Sequence, residues 1–108
     1  MTAASASYKL KIFWDSQKID PYNSNVDVEV VLNSGDRYGA TFFTLQNIQY
    51  LMEQYALSKE CKGGLYFWAA DMIVVRELTD DVIRETIEGL ILANEFERAF
   101  SGPLIDEE

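Results

Sequence analysis

Val26, Val28, Val30 and Leu32 alternate with Asp27, Glu29, Val31 and Asn33, and Asn33-Ser34-Gly35-Asp36 follows as turn chemistry. A period of two puts four aliphatic side chains on one face of a strand and a mostly polar set on the other. Gly35 is free to take the positive φ that a tight reversal demands. Residues 37–43 then supply a second run of aromatic and β-compatible residues. The two runs read as an antiparallel hairpin with one dry face. A dry face needs a second layer, and that requirement constrains the rest of the chain.

The flanking segments supply candidates for that layer. Tyr8, Leu10, Ile12 and Trp14 alternate with Lys9 and Lys11, a further half-buried strand, and residues 15–25, with Pro21, read as a loop. Thr44 is placed to cap a helix over 45–58, with Phe43 and Ile48 at staple spacing and a stripe of Leu45, Ile48, Leu51, Met52 and Tyr55. Gly63-Gly64 ends that unit. Residues 65–78 are too long and too apolar for one ordinary strand. They read as two, 65–68 and 72–77, around Ala69-Ala70-Asp71, with a single bulged strand as the alternative. Thr79 repeats the capping pattern, Asp80 and Asp81 suit the positive end of the helix dipole, and Ile83, Ile87, Leu90, Ile91 and Asn94 mark a buried stripe. Phe96 and Phe100 extend the packing to about residue 100, where Gly102-Pro103 stops it.

The order is thus β-β-β-α-β-β-α: an α+β, two-layer sandwich, with a mainly antiparallel sheet of four or five strands and two helices on one face. Residues 1–7 read as a flexible tail, 8–101 as a single domain and 102–108 as an acidic tail.

Function is narrowed mostly by exclusion. The 108 residues hold no histidine and one cysteine, so Ser-His-Asp and Cys-His mechanisms are closed to the chain, as is Cys/His zinc ligation. No cofactor or metal is expected. Gly63-Gly64 lacks the lysine and the further glycines of a phosphate loop. A formal charge of −9 argues against direct nucleic-acid binding, which needs a basic face. No apolar run approaches membrane-spanning length, and Met1-Thr2-Ala3-Ala4 does not read as an export signal. With no intramolecular disulfide available, the expectation is a cytoplasmic protein. Cys61 reads as incidental and Asp71 as a turn residue.

The charge is uneven. Residues 1–76 carry seven basic and eight acidic side chains, whereas 77–108 carry two and ten. Asp81, Glu85, Glu88 and Glu95 fall on one side of the second helix, opposite its aliphatic stripe, and Leu92 falls among them. The face reads either as a dock for a basic protein or as the solvated side of an amphipathic helix; a leucine there favours the dock. Phe67 and Trp68 are candidates for an exposed aromatic platform or for core. Phe13 and Val31 point outward on their strands, so dimerisation through an open sheet face is a further possibility.

In size, acidity and absence of a catalytic pattern the chain resembles small acidic bacterial inhibitor or immunity proteins, which neutralise a cognate, often basic, toxin by stoichiometric binding. The resemblance rests on no motif and carries over no residue. It implies a basic protein partner, a toxin or nuclease. The other readings are an acidic dimeric secretion-type chaperone, a structural assembly component and a small carboxylate-dependent enzyme.

Overall fold

The computed structural model describes residues 8–14 and 19–105; the expected tail at 1–7, residues 15–18 of the loop and the acidic end 106–108 lie outside them. The elements run β1 (Tyr8–Ile12), β2 (Asn25–Leu32), β3 (Arg37–Thr44), α1 (Leu45–Ser58), α2 (Cys61–Gly64), β4 (Met72–Val75), α3 (Asp80–Leu92) and α4 (Phe96–Ala99). The class is α+β, with one four-stranded sheet in the order β1-β2-β3-β4.

The hairpin forms as its alternation requires, β2 and β3 antiparallel with Val28 opposite Ala40 and Val30 opposite Tyr38. β1 adds antiparallel to β2, with Leu10 opposite Val30. β4 joins β3 in parallel, Phe42 opposite Ile73, so the sheet is mixed. A parallel partner requires the chain to return to the end it left from, and α1 with the segment behind it forms that crossover.

Residues 65–68 do not form the expected strand. Continued backward, β4 would have to pair with the first half of β3. That edge is occupied: Gly39 and Ser101 exchange backbone hydrogen bonds at 2.9 Å, and the Leu104 N–H donates to the Arg37 carbonyl at 2.6 Å. Gly39 lets the Leu104 side chain come close, and a Cβ on Gly102 would stand 2.6 Å from the Tyr38 ring. Residues 101–104 are therefore fastened to the sheet. Asp71, at φ 53°, turns the chain into β4 instead.

One sheet face carries the core. Val26, Val28, Val30, Tyr38, Ala40, Phe42 and Val75 meet Leu78, Ile83, Ile87, Phe96 and Phe100. Tyr38 packs edge-on against Phe96 with centroids 5.2 Å apart, and Phe42 against Phe100 at 6.1 Å. The expected pair of helices on one face is corrected. α3 and α4 cover this face, but α1 does not share it. Phe43 points opposite to Phe42, and Phe67 packs edge-on against it at 5.2 Å. Phe67 in turn stacks on Tyr55 of α1 at 6.2 Å.

Both threonine caps form. Thr79 Oγ1 accepts from the Val82 N–H at 3.2 Å, and Thr44 Oγ1 accepts from the Asn47 N–H at 3.2 Å and the Ser24 N–H at 3.4 Å. α1 buries only one residue completely, and it is polar. Asn47 accepts from the Asn25 amide at 2.8 Å and donates to Asn23 at 3.0 Å, tying the helix start to the loop before β2.

Candidate functional site

α3 is amphipathic for a clear reason. Ile83 and Ile87, four residues apart, face the sheet and are fully buried, so the residues half a turn away must face water. Asp81 and Glu85 lie there, exposed, and neither forms an ion pair among the described residues. Asp80, one step off this line, is held by the Arg84 guanidinium in an i,i+4 pair. That hydrogen bond is the main cause of the raised Arg84 pKa, so Arg84 remains a cation bound to Asp80. The two first-turn acids sit at the positive end of the helix dipole.

Glu88 differs from its neighbours. It is half-buried over β1, and the Tyr8 hydroxyl donates to its Oε2 at 3.5 Å. Burial raises the Tyr8 pKa, and the Glu88 carboxylate adds to the rise. Glu88 thus has a partner inside the molecule. Leu92 has none: it closes α3 on the same side with 68% of its surface exposed. Glu95 lies beyond the helix. The chain leaves α3 at Ala93, Asn94 takes a left-handed φ of 62°, and Glu95 precedes α4. Next to this end an open groove of about 390 Å³ is lined by Leu32, Ile91, Asn94, Phe96 and Glu97, among others.

The aromatic pair behaves differently. Phe67 is half-buried between Tyr55 and Phe43, while Trp68 is 70% exposed. Among the described residues no hydrogen bond, ion pair or ring contact joins Phe67 and Trp68 to the acidic set on α3. They belong to two surfaces, not one.

Large apolar side chains are exposed beyond the pair expected from the sequence. Leu45, Tyr50, Leu57, Leu65 and Tyr66 are also exposed. Tyr50 and Leu57, seven residues apart, lie off the stripe that contains Ile48, Met52 and Tyr55, and that displacement was the available signal. Behind them the chain makes an uncommon turn. Cys61, Lys62, Gly63 and Gly64 have φ values of 50, 53, 71 and 84°, a turn of left-handed helix closed by Gly64 N–H to Glu60 and Leu65 N–H to Cys61. Any side chain at Gly64 would run into the Met52 carbonyl, so this turn lies directly on α1.

Among the described residues no helix is long and apolar enough to cross a membrane, and no cluster of three or more Asp, Glu or Cys side chains is arranged to hold a metal ion. The chain matches no known family model, no curated protein and no solved structure.

Proposed function

We propose that this chain is a non-catalytic protein-binding module that occludes a basic protein partner with the outer face of α3. The observation that carries this reading is Leu92, 68% exposed in line with the exposed carboxylates of Asp81 and Glu85. A solvent-facing leucine adds nothing to the core that Ile83 and Ile87 already fill. Carboxylates around one apolar side chain instead suit an interface in which charge guides the encounter and the apolar group anchors it. The groove beyond Ile91 would receive a side chain of the partner next to that anchor. In its sharpest form the module is a cytoplasmic stoichiometric inhibitor of the immunity type, its partner a basic toxin or nuclease, and it needs no cofactor or metal.

The test is affinity capture from source-organism lysate with wild-type chain and an Asp81→Lys/Glu85→Lys/Leu92→Ser variant. Glu88 is left intact, because reversing it would also break the contact with Tyr8. One basic protein is expected on the wild-type bait alone, with an association rate that falls steeply as salt rises. The same set of proteins on both baits would return the face to plain solvation.

A further inference from the structure

We infer that the outer edge of β4 is a homodimer interface, at which a second copy of this chain continues the sheet. The sheet's other stretches of edge are guarded. β1 carries Lys9 and Lys11, both exposed, and lysines of this kind blunt an edge strand. The half of β3 that β4 leaves uncovered is closed by Ser101 and Leu104. β4 has neither defence. It reads Met72-Ile73-Val74-Val75, holds no charge, and pairs with β3 alone among the described residues. The Thr41 N–H donates to the Asp71 carbonyl, so the parallel ladder turns the peptide groups of Ile73 and Val75 toward β3. Those of Met72 and Val74 point away from it, and no described backbone group bonds them. The Met72 and Val74 side chains are 37% and 42% exposed, so the crossover leaves this strand open.

Symmetry selects the occupant. A two-fold axis normal to a sheet sets an edge antiparallel to itself and keeps each face continuous. With Ile73 on the axis, Met72 of each copy lies opposite Val74 of the other. The outward peptide groups then meet as hydrogen-bonded pairs, and the exposed apolar side chains meet on one face. Ile73, half-buried at the rim of the core, meets its own copy on the other face. The same rotation brings Arg76 of each copy level with Ala70 and beside Asp71 of the other, an exposed cation next to an exposed acid at both ends. Moving the axis to Val74 would set Asp71 against Glu77, like charge against like. Moving it to Met72 would set Val74 against Ala70, beyond the strand. One register therefore satisfies the peptide groups, the apolar side chains and the charges together. A strand of 4 residues makes a small contact, so the dimer is reversible. It uses β4 and not α3, and it does not depend on the proposed function.

Sedimentation velocity of the full chain across a concentration series, with amide exchange in β4 read on the same samples, tests it. Wild type should form a dimer that dissociates on dilution. The Met72 and Val74 amides should lose protection as it does, while those of Ile73 and Val75 stay protected by β3. Val74→Pro removes an N–H that the fold does not use, so the far-UV spectrum should stay intact while the dimer weakens by roughly 10-fold or more. Should that variant lose its spectrum, Val74→Lys puts on β4 the charge that guards β1 and reads the same edge. Asp81→Lys/Glu85→Lys, which removes the partner face, should leave the dimer in place, so the two ideas fail separately. A wild-type chain still monomeric at roughly 500 μM would overturn the inference. So would a dimer that survives the folded Val74 variant, or one in which the Met72 and Val74 amides exchange as in the monomer.

Discussion

α1 and α3 start alike and end differently. Each follows a strand-derived segment, each is capped by a threonine whose hydroxyl accepts from the amide three residues on, and each carries aliphatic residues at helical spacing. α3 buries Ile83 and Ile87 and turns its acids to water. α1 fully buries only Asn47, carries Glu53 as its one charged residue, and leaves Leu45, Tyr50 and Leu57 exposed. The reason lies in the sheet. Its aliphatic face is filled by α3 and α4, and on the other face β3 offers α1 a single aromatic, Phe43, reached through Phe67. A capping pattern starts a helix; the sheet face available to it decides whether that helix joins the core.

The largest effect that sharpens this contrast is a truncation in each helix. Ile87→Ala should cost about 2–5 kcal/mol in urea unfolding, because it opens a cavity under a fully buried side chain. Leu57→Ala, measured in dilute solution, should stay within about 0.5 kcal/mol, as for other exposed sites. Comparable losses would mean that α1 is as much a part of the core as α3. Next comes Asn47→Ala, which leaves the Asn23 and Asn25 side chains without their partner; about 2–3 kcal/mol should be lost in the same assay. A neutral result would show that α1 is fastened at its start by something other than the asparagine cluster.

Gly64→Ala should follow at about 1–3 kcal/mol, since a side chain there meets both a φ of 84° and the Met52 carbonyl. The loss should appear as a lower Tm, whereas Gly63→Ala, with open space around it, should lose less. Equal losses would mean that the left-handed φ alone, not contact with α1, sets the requirement. The smallest effect belongs to α3. Tyr8 has its pKa raised above 10.0 by burial and then by Glu88, so the folded state favours the neutral phenol. The stability this contributes is complete below pH 10.0 and is lost as pH rises through the folded value. Tyr8→Phe should flatten that alkaline loss in thermal melts; an unchanged pH profile would detach Glu88 from β1.

What the sequence reveals here is local. The 26–43 hairpin, both threonine caps and the Ile83/Ile87 stripe each depend on residues within a turn or two of one another, and each forms as their spacing requires. Residues 65–68 do not, because their fate is decided by distant groups: Ser101 and Leu104 occupy the β3 edge they would have used, and Tyr55 provides Phe67 with another place to pack. Asn47 looked like an ordinary helix residue, and only the fold brings Asn23 and Asn25 to it. The acidic side of α3 is visible as a charge pattern, but its division into water-facing Asp81 and Glu85, engaged Glu88 and off-helix Glu95 follows from Tyr8 and the turn at Asn94.

The most direct measurement is native-state amide hydrogen exchange, followed in α1 and α3 together. α3 amides should exchange only with global unfolding, because Ile83 and Ile87 tie that helix into the core. α1 amides should exchange faster, through local opening, since the helix fully buries only Asn47. Equal protection of the two helices would contradict this account.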